Sequence, residues 1–112
     1  MVGDIARSAN CDPNVILAAI GSDSRIGDKN LKYGFGYGGP CFPRDNRAFA
    51  QFANDMKVNA KISKASDIAN KQHLEFQIEE FIGKNDIRGT YVFSDLAYKR
   101  ETTIIEESQK LK

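Results

Sequence analysis

The sequence is poor in the residues that build disulfide frameworks and zinc sites. It has two cysteines and a single histidine, His73. Two cysteines make no disulfide framework, and Cys11, Cys41 and His73 do not have the spacing typical of zinc ligands. We therefore predict no metal site, a reducing cytoplasmic setting, and a small buried core position for Cys11.

An excess of charge of one sign and long apolar runs are also missing. The 16 basic and 15 acidic residues leave a net charge of +1, which argues against a nucleic-acid or polybasic membrane partner. No apolar run approaches the roughly 18–20 residues that a membrane span needs. Residues 1–4 carry neither the basic nor the apolar region of a signal peptide. The length of 112 residues fits one domain or slightly more.

Helical patterns dominate what is present. Ile5, Ala6 and Ala9 follow helical spacing, and Asp12-Pro13 is a favourable helix start with Gly21 as its stop. Apolar residues repeat at helical spacing over 44–56 and 63–82. The faces predicted to be buried are Val15, Ile16, Ala19 and Ile20 in the second helix, and Ala48, Phe49, Phe52, Ala53 and Met56 in the third.

The segment 63–82 carries two apolar stripes, which suit contacts on two sides. They are Ala65, Ile68, Ala69, Gln72 and Phe76 on one side, and Leu74, Ile78, Phe81 and Ile82 on the other. Beyond Gly83, the β-branched and aromatic residues 90–93 predict a short strand, and 104–111 predicts a helix. The predicted fold is mainly α, with a helical domain over 1–84 and the truncated start of an α/β domain over 85–112.

Four glycines lie within six residues in the segment GFGYGGPCFPRD, at positions 34–45. Gly34, Gly36 and Gly39 formally fit the GxGxxG dinucleotide fingerprint, but no strand precedes them, so we reject that interpretation. The spacing alone fits an ordinary loop or a ligand-cradling one. Cys41 lies just before a predicted helix start, where a thiol tends to ionise to a nucleophilic thiolate, although most lone cysteines are inert.

This segment closely resembles the cysteine-centred signature of the UDP-glucose/GDP-mannose dehydrogenase family. The resemblance implies an NAD-dependent enzyme that oxidises the C6 alcohol of a nucleotide sugar to a carboxylate through a cysteine thiohemiacetal and thioester. Cys41 would be the nucleophile, and Asp45 would position or activate water, whereas Asp45 alone would suggest only a first-turn capping carboxylate. The cofactor-binding residues would be Cys41, Phe42, Pro43 and Arg44, in the segment that borders the nicotinamide.

The resemblance also implies substrate contacts from the loop residues Lys32, Tyr33, Gly34, Phe35, Gly36, Tyr37 and Gly38, and from Arg25, Tyr98 and Lys99. Without it, Arg25 and Lys99 would be solvated surface residues. Three departures from the signature are Pro40, the segment before Ala97, and Glu106, which falls where the family has a cofactor-contacting arginine. The family's NAD-binding domain and a catalytic lysine and asparagine have no counterpart in this sequence.

We expect this chain to be part of such a dehydrogenase, inactive alone, and to form a homodimer or larger homo-oligomer. The alternative is a non-catalytic helical oligomerisation or interaction module derived from the family. A thiol-redox protein is a weaker alternative, because no C-x-x-C motif is present.

Overall fold

The computed structural model describes residues 1–112 and confirms a mainly helical fold. It contains four α-helices and a terminal turn of 3₁₀-helix. They are α1 (Val2–Ser8), α2 (Pro13–Gly21), α3 (Phe42–Asp55), α4 (Lys61–Lys84) and the 3₁₀ turn Gln109–Leu111. The chain divides into two compact units, 1–34 and 35–112. None of the helices is both long and apolar enough to cross a membrane.

The first unit is a pair of packed helices, α1 and α2. The predicted start and stop of α2 are confirmed, because the Asp12 side chain accepts a hydrogen bond from the Asn14 N–H at 2.8 Å and the helix ends at Gly21. The buried residues are Gly3, Ala6, Pro13, Leu17 and Gly21.

Two expectations for the first unit are wrong. The predicted buried face of α2 is largely exposed at Val15, Ala19 and Ile20, because Leu17 is the residue that faces α1. Cys11 is exposed and is not a core residue, because the chain has left α1 before this position. Its Sγ lies 3.6 Å from the Ala9 carbonyl oxygen.

The second unit is built on α3 packed against α4. Polar contacts join the two helices at Ser63, which is buried. Its hydroxyl lies 2.7 Å from Asn46 Oδ1 and 2.8 Å from the Asn46 carbonyl, and the Asn46 amide donates to the Ser63 carbonyl at 3.0 Å. Both helices begin two residues before their predicted starts, and α4 runs on past Gly83.

The apolar face predicted to be buried on α3 is mostly exposed, and so is much of the two stripes of α4 that were predicted to make contacts on two sides. Ala53 is buried, but Phe49, Phe52 and Met56 of α3 are open to solvent. The same is true of four apolar residues from the two stripes of α4, namely Ile68, Ile78, Phe81 and Ile82. Each helix packs against one neighbour within the unit, so the rest of its apolar surface has nothing to cover it.

The predicted C-terminal strand and helix are not formed. No strand is present at 90–93, where the Tyr91 ring instead packs edge-on against Phe81, with centroids 4.7 Å apart. The predicted helix is reduced to the turn Gln109–Leu111, because Glu107 has a φ of 52° and interrupts it. The predicted domain boundary after residue 84 stays a prediction.

Candidate functional site

An open pocket of about 530 Å³ lies beside the start of α3. Its lining combines one thiol, one carboxylate, three aromatic rings and two small polar groups. These residues are Tyr37, Cys41, Phe42, Asp45, Asn46, Phe49 and Ser66. Both Cys41 and Asp45 are exposed, so a molecule in this pocket can reach the thiol and the carboxylate together.

The start of α3 determines how the thiol and the carboxylate are placed. Cys41 is the residue that caps the helix, and Pro43 occupies its first turn, where a missing N–H costs little. Pro43 is fully buried and anchors this turn. The Asp45 N–H donates to the Cys41 carbonyl at 2.8 Å, so the two residues lie one helical turn apart on one side of α3.

Arg44 is engaged by its neighbour. Its Nε donates to Asp45 Oδ1 at 2.8 Å, and both side chains are exposed. This hydrogen bond is the main cause that raises the pKa of Arg44, with smaller contributions from the charges of Asp45, Cys41 and Glu106. The basic residue of the signature therefore carries its positive charge beside the carboxylate of the same pocket.

Tyr37 forms the pocket wall opposite Phe42, with ring centroids 6.0 Å apart. The Tyr37 hydroxyl is buried and has no hydrogen-bond partner. Burial raises the pKa of Tyr37, and the negative charge of Asp67 adds to this effect. The hydroxyl is therefore neutral at physiological pH, and its hydrogen is not donated to any group of the chain.

The glycines at 38 and 39 are required by the chain's own packing. A Cβ at Gly38 would lie 2.4 Å from the Glu107 carbonyl oxygen, and one at Gly39 would lie 2.6 Å from the Tyr98 ring. Gly39 also has a φ of +86°, which disfavours side chains, and its N–H donates to the Glu106 carbonyl at 3.0 Å. The segment 97–109 thus lies directly on the glycine-rich loop.

Glu107 joins this segment to α3. Its carboxylate accepts hydrogen bonds from Lys112 and from Arg47, the latter at 2.9 Å, and these partners lower its pKa from 4.5 to about 2. Arg47 of α3 also binds Asp67 of α4 at 3.0 Å. A single arginine therefore ties α3, α4 and the C-terminal segment together.

The structure gathers only part of the predicted site in the pocket. Tyr37, Cys41, Phe42 and Asp45 line it, whereas Pro43 is buried and does not line it. The predicted residues Phe35, Gly36, Gly38, Arg44, Tyr98 and Lys99 belong to the same unit but do not line it. Lys99 is exposed, with its Nζ 5.5 Å from the centre of the Tyr98 ring.

Four predicted substrate residues, Arg25, Lys32, Tyr33 and Gly34, belong to the first unit. Arg25 makes a two-pronged contact with Asp23, with Nε–Oδ1 at 3.0 Å and Nη2–Oδ2 at 2.6 Å, which lowers the pKa of Asp23. Lys32 is exposed, and the Tyr33 ring lies over Gly3. Within its own unit, Arg25 is thus held by an ion pair in a turn.

Three lining residues were not predicted. Phe49 lies eight positions after Cys41, two helical turns on, so the helical period could have identified it. Asn46 contacts Ser63, and Ser66 projects from α4, so both depend on tertiary packing that no local pattern reveals.

Comparison with known proteins gives a consistent result. The model of the UDP-glucose/GDP-mannose dehydrogenase family, central domain, matches residues 1–72. UDP-glucose 6-dehydrogenase YwqF of Bacillus subtilis is 26% identical over 112 residues, covering 98% of this chain and 26% of that protein. The B. subtilis enzyme TuaD is 29% identical, with 98% of this chain and 24% of its own length covered.

UDP-glucose 6-dehydrogenase of Pseudomonas aeruginosa is 34% identical over 100 residues, covering 86% of this chain and 22% of that protein. The chain thus spans about a quarter of the length of the curated relatives it matches.

Proposed function

The chain belongs to the UDP-glucose/GDP-mannose dehydrogenase family, and we propose that it forms the nucleophile-bearing part of a nucleotide-sugar 6-dehydrogenase. The proposed reaction oxidises the C6 alcohol of a nucleotide sugar to a carboxylate. The observation that carries this proposal is the pocket at the start of α3, where Cys41 and Asp45 are both exposed and lie one helical turn apart.

Cys41 would act on the aldehyde formed by the first oxidation. Its thiolate adds to the aldehyde carbon, forming a C–S bond, and the carbonyl oxygen takes a proton. Transfer of a hydride from the thiohemiacetal carbon to NAD⁺, together with loss of the hydroxyl proton, would leave a thioester. Water then adds to the thioester carbon and the C–S bond breaks, which releases the carboxylate and regenerates the thiol. A cysteine suits this series of reaction steps because sulfur is both a strong nucleophile and a competent leaving group.

Asp45 would serve the hydrolytic half of the reaction. A carboxylate one turn from the thiol can accept a proton from the attacking water. Arg44 is hydrogen-bonded to Asp45 at 2.8 Å and holds that carboxylate in place. These two residues therefore form a unit in which Arg44 orients the group that handles the proton.

NAD⁺ would supply the acceptor for both hydrides. In this chain, Phe42 at the first turn of α3 is 72% exposed and could contact the nicotinamide. The glycine-rich loop is not a dinucleotide-binding loop, because no strand precedes it. We therefore propose that NAD⁺ is bound mainly by other parts of the enzyme and that this chain alone is inactive. NADH formation by this chain with UDP-glucose, UDP-hexosamines or GDP-mannose would refute that.

Side chains of the loop would take a larger share in sugar binding than its backbone. The N–H groups of Gly36 and Gly39 already donate within the chain, to Gln109 Oε1 and to the Glu106 carbonyl. The buried Tyr37 hydroxyl, in contrast, has no partner. We propose that Tyr37 binds the nucleotide sugar directly, and that Arg25, Lys32, Tyr33, Gly34, Phe35, Gly38, Tyr98 and Lys99 contribute to the same binding.

Mapped alkylation tests the proposal, because the chain carries its own control. Both Cys41 and Cys11 are free and exposed, but only Cys41 lies in the pocket. With iodoacetamide and mass-spectrometric mapping, we expect Cys41 to react faster than Cys11 and to be protected by millimolar UDP-glucose or GDP-mannose. Equal, slow labelling of both cysteines without protection would refute the assignment.

The second candidate is a non-catalytic helical oligomerisation module. Exposed apolar residues on α3 and α4, such as Phe49, Phe52, Ile68 and Ile82, favour it. Association also suits the enzyme, for which we propose a homodimer or larger homo-oligomer in a reducing, cytoplasmic setting. The alkylation experiment separates the two candidates, since a module without a site gives no reason for ligand protection of Cys41.

A further inference from the structure

A closed ring of hydrogen bonds surrounds the dipeptide Gly36–Tyr37. The Gly36 N–H donates to Gln109 Oε1 at 2.6 Å, and Gln109 Nε2 donates to the Asn70 carbonyl at 2.8 Å. The Asn70 side-chain amide then donates to the Tyr37 carbonyl at 2.9 Å. Gln109 and Asn70 thus hold the dipeptide at both of its ends, one from the C-terminal segment and one from α4.

The ring is tight and mostly sheltered from solvent. Gln109 is 7% exposed, and both polar atoms of its amide are hydrogen-bonded. An ideal Cβ at Gly36 would lie 2.1 Å from Asn70 Oδ1 and under 3.0 Å from both amide atoms of Gln109. A Cβ at this position would therefore displace the ends of both amide side chains. Gly36 is therefore explained by this contact and not by flexibility.

We propose that Gln109 is a positioning residue that holds Tyr37 in the wall of the Cys41 pocket. A loop with glycines at 34, 36, 38 and 39 has many backbone conformations, so its fixed form must come from outside contacts. The contacts at 38 and 39 come from backbone and packing, whereas Gln109 is the side chain through which the C-terminal segment binds both the dipeptide, at the Gly36 N–H, and α4, at the Asn70 carbonyl. The proposed effect of Gln109 on ligand binding rests on the proposed function, whereas its effect on the conformation of the loop does not.

Three variants separate the two hydrogen bonds of Gln109. Gln109→Leu removes both while keeping the volume. Gln109→Glu keeps an acceptor for the Gly36 N–H but loses the donor to the Asn70 carbonyl, and it serves as the milder variant if the first fails to fold. Gln72→Leu is the matched control, since Gln72 is exposed on α4.

The first measurements need no ligand. In Gln109→Leu, we expect amide hydrogen exchange at Gly36 to accelerate by about tenfold or more, as expected when a local hydrogen bond no longer protects it. The nuclear Overhauser contact between the Tyr37 and Phe42 rings should weaken, and Gln109→Glu should fall between the wild type and Gln109→Leu. Exchange and ring contact within about twofold of Gln72→Leu would overturn the proposal.

The last measurement uses UDP-glucose to protect Cys41 from iodoacetamide. A displaced Tyr37 should raise the half-protecting concentration by about fivefold or more in Gln109→Leu, with no change in Gln72→Leu. An unchanged value in the presence of a displaced ring would overturn the positioning role. If the wild type itself shows no protection, the proposed function fails, and the exchange and ring measurements still decide whether Gln109 positions the loop.

Discussion

Replacing Gly38 by alanine should destabilise the second unit, because the C-terminal segment leaves no room for a side chain there. A Cβ at Gly38 would lie 2.4 Å from the Glu107 carbonyl oxygen and 3.1 Å from its carbon. These are backbone atoms, so no rotamer change can relieve the clash. Gly38 does not have a positive φ, so alanine is otherwise compatible with the backbone at this position.

The expected loss of stability in Gly38→Ala follows from the contacts that the added Cβ would stretch. Moving the Glu107 carbonyl by nearly 1 Å pulls on the Gly39 N–H to Glu106 carbonyl bond at 3.0 Å and on the Arg47–Glu107 ion pair at 2.9 Å. A hydrogen bond contributes about 0.5–1.5 kcal/mol net, and a partly exposed ion pair up to about 1 kcal/mol. We therefore expect Gly38→Ala to lower the free energy of unfolding by about 2 kcal/mol.

Urea denaturation followed by circular dichroism at 222 nm measures this quantity. The matched control is Gly34→Ala, because an added Cβ at Gly34 meets nothing within 4 Å. We expect this control to be neutral or stabilised by up to about 1 kcal/mol, since alanine restricts the unfolded chain. Proteolysis at Lys99 and Arg100 should accelerate in Gly38→Ala alone. If both variants unfold at the same urea concentration, the C-terminal segment does not rest on the loop as described.

Two further substitutions test the contacts that hold the second unit together. Glu107 has its pKa lowered from 4.5 to about 2, so its contribution is present above pH 4.5 and is lost as the pH falls towards 2. Because Glu107 is 29% and Arg47 43% exposed, we expect the ionised Glu107 to contribute only about 1–2 kcal/mol to the free energy of unfolding. The stability of Glu107→Gln should therefore change less between pH 4.5 and 2 than that of the wild type. Equal slopes for the two proteins would contradict the assignment. Ser63→Ala should cost about 1–2 kcal/mol in urea denaturation, because the Asn46 Oδ1 and carbonyl oxygens lose the Ser63 hydroxyl. Ser24→Ala at an exposed turn should be neutral.

Local chemistry predicted the second helix well because its ends depend only on nearby residues. The Asp12 carboxylate needs only the N–H of Asn14, and Pro13 fits the first turn of any helix. The helical period likewise located α3 and α4 to within about two residues at their starts, which is the usual uncertainty of helix ends. Periodicity did not reveal which apolar residues would be covered, because Phe49 and Phe52 repeat like core residues but face solvent.

The C-terminal segment was mispredicted because tertiary contacts override its propensity. Residues 90–93 have strand-forming side chains, but a strand needs a neighbour, and Tyr91 packs on Phe81 instead. The Glu106 and Ile104 carbonyls accept bonds from Gly39 and Tyr98, so they are not available to a continuous helix. Sequence reasoning placed Cys41 and Asp45 on one side of α3 because they are four residues apart, but it had no means to identify Gln109, which is 73 residues from its partner Gly36.

The glycine-rich loop has a physical explanation that does not require a ligand. Glycine is needed at 38 and 39 because the Glu107 carbonyl and the Tyr98 ring lie where a Cβ would be, and a Cβ at 36 would displace the Asn70 and Gln109 amides. A glycine signature of this kind therefore records how closely the C-terminal segment approaches the loop. Selectivity at the pocket then depends on the side chains that line it, among them Tyr37, Ser66 and Cys41. Substitutions at Tyr37 or Ser66 should consequently change ligand protection of Cys41 without loosening the segment that Gly38 supports.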